Sequence, residues 1–168
     1  VIGYVLGKNT PFFENFAQLE QTIKRYRGCF VSFHCENPEI LQENRRPPEA
    51  EVSAIECALM LIEKYKLQGK ICHCSTREGI ERIRNAKQKG VAVTCEVAPH
   101  HLYFDESMIT DENRNWFKVN PPLRGKGDRM ALIKALREGI IDFLASDHAP
   151  HTKEEKKKGI AGFPHLDT

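Results

Sequence analysis

The sequence predicts an α/β protein with a parallel sheet, on three observations. Short apolar runs rich in β-branched and aromatic residues recur along the chain. Longer segments between them place apolar residues at helical spacing. Polar residues stand where the apolar runs end. Strands that alternate with amphipathic helices imply βα units, because a parallel pair needs a crossover and a helix supplies it.

The elements follow in order. Residues 1–6 (VIGYVL) read as the first strand. Thr10 and Pro11 predict a helix start, a hydroxyl cap before a first-turn proline, with Phe12, Phe16, Leu19, Ile23 and Tyr26 on its apolar face. Residues 29–35 (CFVSFHC) form the second strand, and a polar, proline-bearing connection leads to a helix over 49–65. That helix carries Ala54, Ile55, Ala58, Leu59 and Ile62 on one face. Residues 70–75 (KICHCS) form the third strand, and Thr76 caps a helix bearing Ile80, Ile83 and Ala86. Residues 91–97 (VAVTCEV) are the fourth strand, followed by the loop APHHLYF. Asp128 is placed to cap a helix that buries Leu132, Ile133 and Leu136 and ends near Gly139. Residues 140–146 (IIDFLAS) are the fifth strand, and the last 22 residues read as loop.

Composition sets bounds. A chain of 168 residues corresponds to about one domain, spanning 1–168. With 40% hydrophobic and 29% charged residues it is ordinary for a globular protein. A net charge of +2 gives no argument for nucleic acid or a membrane surface. The run Lys156–Lys157–Lys158, preceded by Glu154 and Glu155, reads as a solvated loop or helix face. Cys35, Cys72, Cys74 and Cys95 lie in apolar runs and no C-x-x-C pair exists. A zinc ribbon is therefore disfavoured, and buried reduced thiols in a cytoplasmic protein are the reading.

The chemistry sits at the strand ends. The second strand ends in His34, the third in His73 and the fifth in Asp147-His148. In parallel α/β folds the C-terminal strand ends share one face, where barrel enzymes build their sites. Two imidazoles and a carboxylate are a suitable zinc shell. Each strand-end histidine is alternatively a satisfied structural residue. Asn120, before Pro121-Pro122, is held in a stiff turn that either presents an amide or shapes a loop. For His100-His101 a packing role is expected of at least one. Glu96 either orients a histidine or is a half-buried strand residue, and Arg124 either binds an anion or is a surface charge.

The segments FHCE, ICHCST, VTCEVAPHHL, NPPLR and SDHAPHT occur in this order in the dihydroorotases of class I type in the amidohydrolase superfamily, which the chain resembles over nearly its whole length. NPPLR together with SDHAPH separates this resemblance from allantoinases and hydantoinases. The resemblance implies a (β/α)8 TIM barrel, with this chain supplying strands 4–8 as a partial barrel, the C-terminal portion of a longer protein. It implies interconversion of N-carbamoyl-L-aspartate and L-dihydroorotate in pyrimidine synthesis, with one or two Zn2+ ions. By motif, His34 and His73 are implied ligands of one zinc, and Asp147 a ligand of the other and the general acid/base. Asn120 and His151 are implied substrate binders, with backbone contacts from Ala161 and Gly162. A small-molecule substrate is implied, with a homodimer or an association with aspartate transcarbamoylase.

Two departures stand against this. The chain contains no His-x-His pair, which the family carries on its first strand. Gly3 falls where many members carry a carboxylated bridging lysine, and Lys8 lies past the strand. The alternatives are a non-catalytic homologue with a structural or partner-binding role, or another cyclic amidohydrolase such as an allantoinase or hydantoinase.

Overall fold

The computed structural model describes residues 2–5, 13, 15–41 and 45–163. Five strands form one sheet: β1 (Ile2–Val5), β2 (Phe30–His34), β3 (Gln68–Ile71), β4 (Val93–Val97) and β5 (Phe143–Leu144). All four pairings are parallel, and the strand order is β1-β2-β3-β4-β5. A doubly wound sheet reverses its strand order at a switch point. Here the order never reverses, which is the succession of a barrel wall.

Six α-helices accompany that wall among the described residues, and the four longest line one side of it. The six are α1 (Phe16–Ile23), α2 (Pro48–Tyr65), α3 (Arg77–Gln88), α4 (Pro99–Tyr103), α5 (Lys126–Arg137) and α6 (Lys153–Lys157). Among them, α1 packs on α2, α2 on α3 and α3 on α5. Period-two alternation decides what each strand gives them. Val31, Phe33, Ile71, Val93, Cys95 and Val97 are buried in one cluster with Ile55, Leu61 and Ile62 of α2 and Ile80 and Ile83 of α3. Burying each large aliphatic side chain is worth about 1.5–3 kcal/mol. The approach of β3 to α2 requires Gly69, since a Cβ there would lie 2.1 Å from Cδ1 of Ile62. The opposite face carries Ser32, Lys70, Thr94 and Glu96. Lys70 Nζ donates to Glu96 Oε2 at 2.7 Å, so Glu96 pairs with a lysine and not with a histidine.

Several sequence expectations are corrected. Helix α1 begins at Phe16, capped by the side chain of Asn15; Thr10, Pro11 and Phe12 lie outside the described residues. Thr76 caps α3 as expected, its side chain accepting from Gly79 N. The cap of α5 is Gly125, because Asp128 sits in the first turn and accepts instead from the Arg77 backbone N–H at 2.9 Å. In α5, Leu132 and Ala135 are the buried residues, with Leu136 packed at the margin and Ile133 half-buried. His100 and His101 lie on α4, not in a loop. The chain after β5 contains α6, held by a Thr152–Glu155 capping box. The lysine run is not uniformly solvated: Lys157 and Lys158 are exposed, but Lys156 is only 3% exposed. Cys35, Cys74 and Cys95 are buried free thiols, as the composition argued, while Cys72 is partly buried and Cys29 exposed. No helix among the described residues is long and apolar enough to cross a membrane.

Candidate active site

The sheet delivers its polar side chains at the C-terminal ends of β2, β3 and β5. His34 is the last residue of β2, and His73 follows β3 by two residues. Nδ1 of His34 lies 3.0 Å from Nε2 of His73, the rings meeting edge to face. Thirty-nine residues of chain separate them, and the register of β2 against β3 closes that distance.

Backbone strain concentrates here. His73 has φ 32° and Asp147 φ 47°. With Lys66, which ends α2, they are the non-glycine residues of positive φ among those described. A residue held in the left-handed region costs about 1–3 kcal/mol and persists where its surroundings over-determine it. Two of the three sequence-predicted ligands occupy such positions.

Their surroundings are visible. Glu51 of α2, 1% exposed, accepts from the backbone N–H of Ser75 at 2.8 Å and of Thr76 at 3.1 Å, and from both hydroxyls. Arg124 reaches the same carboxylate at 3.5 Å, donates to Ser75 Oγ at 3.1 Å and gives Nη1–H to the carbonyl of Arg46 at 2.5 Å. Arg124 is thus a buried structural cation. The turn after His73 is pinned from below by one carboxylate.

His34 has its own brace. Glu36, fully buried, brings Oε2 to 2.9 Å from Nε2 of His34, and Arg46 donates to the same oxygen. His100 and His101 are both buried, with rings 4.4 Å apart. His101 Nε2 bonds the carbonyl of Pro121 at 3.0 Å, which accounts for a packing role. His100 rests on Phe163 and has no partner for Nε2. Burial pushes His100 down to about 4, with Asp147 pulling it up and His73 pushing it down. Burial likewise lowers His73, aided by His34 and opposed by Asp147, Glu51 and Glu96. Asp147 therefore lies within electrostatic reach of both rings. It does not join them at ligand distance: among the described residues no group of three or more His, Cys, Asp or Glu is arranged to hold a metal. The geometry brings together two of the three expected ligands, whose ring nitrogens satisfy one another directly.

The two histidines nevertheless fit a zinc ion. Zn–N bonds of about 2.0–2.1 Å at a tetrahedral angle put two ligand nitrogens roughly 3.3 Å apart, close to the 3.0 Å between these two. Nδ1 of His73 is buried without a partner, so that ring has a nitrogen left for a further neighbour. Gly3, opposite Ser32 in β1, has no side chain to bridge a pair of ions; Lys8 lies outside the described residues.

The expected substrate binders form a second group. Asn120 precedes a cis peptide bond to Pro121 and lines a cavity of ≈ 330 Å³ with Arg46, Lys118 and Leu123. Gly162 N–H donates to the carbonyl of Lys118 at 3.0 Å, which ties the 161–163 segment to the strip carrying Asn120. A Cβ on Gly162, at φ 151°, would meet the Ala149 carbonyl at 2.6 Å and His151 Nε2 at 2.8 Å, so only glycine lets these segments touch. Lys156 locks the arrangement by donating to the carbonyls of Lys118 and Ile160 at 3.1 Å and Gly162 at 2.8 Å. His151 is exposed beside Glu155, at 3.5 Å.

Sequence reasoning missed Glu36, Glu51 and Lys156. A signal existed for Glu36, because positions i and i+2 of an extended segment share a side. None existed for Glu51 or Lys156, whose partners lie on other elements or on backbone oxygens.

A parallel wall of successive βα units, with paired histidines and strained residues at its C-terminal rim, belongs to the TIM-barrel amidohydrolases. D-hydantoinase from a Bacillus species superposes on 97% of the chain with a TM-score of 0.85 at 27% identity, and 42% of that protein is covered. By sequence the chain is a homologue of bacterial dihydroorotases. It is 48% identical to that of Lactobacillus johnsonii over 113 residues, 67% of this chain and 26% of the relative. It is 45% identical to that of Brevibacillus brevis over 153 residues, 82% of this chain and 36% of the relative. The chain thus spans about a quarter to a third of the length of these relatives. It matches no protein-family model.

Proposed function

We propose that the protein is a zinc-dependent cyclic amidohydrolase, a dihydroorotase that interconverts N-carbamoyl-L-aspartate and L-dihydroorotate in pyrimidine synthesis. The observation that carries this is the approach of His34 and His73 at 3.0 Å on the rim that also bears the strained Asp147. Its support in sequence is 45–48% identity to dihydroorotases, against 27% to the hydantoinase whose fold it shares.

His34 and His73 would hold one zinc ion, and Asp147, by motif, would be a ligand of the other and the general acid/base. The ion, when bound, supplies Lewis acidity that lowers the pKa of water toward about 7. The remaining work falls to this chain's residues. In ring opening, a carboxylate oxygen of Asp147 accepts the proton of the attacking water and returns it to the departing amide nitrogen. Such positioned proton transfer contributes about 10²–10⁴-fold. Asn120, His151 and the backbone of Ala161 and Gly162 hold the substrate's carboxylate and ring polar groups. Their segments are already clamped together by Lys156.

Two measurements decide the proposal: zinc content, and hydrolysis of dihydroorotate by the protein and by Asp147→Ala. The expected result is bound zinc and a loss of about 10²-fold or more in kcat for the variant. Zinc-dependent turnover that survives in Asp147→Ala rejects the assigned role. Hydantoin cleaved in preference to dihydroorotate moves the protein to the neighbouring activity.

A further inference from the structure

The bonding around Glu36 leaves one proton placement. An ionised carboxylate only accepts hydrogen bonds. Glu36 Oε2 faces both Nε2 of His34, at 2.9 Å, and the guanidinium of Arg46. Nε2 of His34 must therefore be the donor. In a neutral imidazole the other nitrogen then carries the lone pair, and that nitrogen, Nδ1, is the one aimed at His73.

Glu36 cannot easily turn away from this task. Its side chain is completely buried. The next residue is anchored, Asn37 N–H donating to the Ala50 carbonyl at 2.8 Å. Arg46 is held in turn, its carbonyl accepting from Arg124, which also binds Glu51 and Ser75. The brace on His34 and the brace on the turn after His73 thus share one buried network.

We propose that Glu36 is a positioning residue that fixes His34 in its Nε2–H tautomer, leaving Nδ1 as the donor atom for a cation shared with His73. The role rests on the metal site inferred above. Partners of this kind are worth about 10–100-fold in metal affinity.

The test uses protein labelled with 15N at histidine. Long-range 15N–1H spectra of the metal-free protein near neutral pH read the tautomer of His34 directly. Zinc affinity is measured by competition with a chelator. Expected are an Nε2–H tautomer in the unmodified protein, and a mixed tautomer with about 10–100-fold weaker zinc binding in Glu36→Met. Glu36→Gln keeps an acceptor oxygen and restores most of both. A residue that merely neutralised Arg46 would give no such order, with Gln no better than Met. An Nδ1–H tautomer in the unmodified protein overturns the proposal, as does undiminished zinc affinity in Glu36→Met. If Glu36→Met fails to fold, the unmodified spectrum and Glu36→Gln decide: Nε2–H in both supports the role, and Nδ1–H in either sinks it. Neither readout involves substrate. A protein with these spectra that turns over no dihydroorotate refutes the assigned activity and leaves Glu36 in place.

Discussion

Phe33 and His34 are consecutive in β2 and point to opposite sides of the sheet. Phe33 is 1% exposed among aliphatic side chains from the outer helices, with ordinary backbone and no polar obligation. His34 stands at the rim among buried carboxylates, a second histidine, and turns of positive φ. One side of the wall is held by non-directional burial, which tolerates any residue of suitable size. The rim is held by directional bonds to charged groups, where removing one partner leaves another buried and uncompensated. The rim therefore depends on particular residues in a way that the helix-covered side does not.

The sharpest challenge to this contrast sets Glu51→Ala against Ile55→Ala. Truncating Ile55 removes apolar contacts and should cost about 2–5 kcal/mol. Truncating Glu51 strands Arg124 and the N–H groups of Ser75 and Thr76, and should cost about 3–5 kcal/mol. Denaturant unfolding measures both. A Glu51→Ala variant as stable as the unmodified protein would show that the rim is not built as described.

A second effect is smaller and depends on pH. His73, His100 and His101 are all lowered, burial being the first cause in each. In the unfolded chain they titrate near 6.5. Between that value and about 4, where His100 titrates in the folded protein, the unfolded state binds the extra proton. Stability should therefore fall as pH drops through this window, by about 1 kcal/mol per pH unit from His100, with His73 and His101 acting in the same direction. Unfolding followed from pH 7 to 5 should show the fall, and His100→Phe should make it shallower. An unchanged slope in that variant would place the effect in other groups.

The smallest effect has the opposite sign. Asp147→Gly relieves a left-handed backbone and should raise stability by about 1 kcal/mol while abolishing turnover. Thermal unfolding checks the first half and a hydrolysis assay the second. A destabilised Asp147→Gly would mean that the aspartate side chain contributes more to the fold than its backbone conformation costs.

Local pattern carried much of this. Apolar runs, helical spacing and the Thr76 cap are short-range facts, so five parallel strands and the longer helices between them are legible in the sequence alone. His34 and His73 were legible because each ends an apolar run. Asn120, His151 and Gly162 came from motif alone; the Gly162–Lys118 bond and the Lys156 clamp tie the segments that carry Asn120 and Gly162, about forty residues apart. Glu51 resembled any first-turn glutamate, and Lys156 any lysine in a charged run. What separates such residues from solvated ones is which distant backbone groups need a partner.

By itself, then, the sequence determined the alternation of strands and helices and the placing of histidines and aspartate where strands stop. These depend on residues within a few positions of one another. Only the tertiary structure decided that His34 and His73 touch, that Arg124 is a strut and not a free anion binder, and that a glutamate two residues past a strand orients an imidazole. Those outcomes hinge on register and burial, since a charge becomes a structural element only when the folded chain removes its water and supplies a partner.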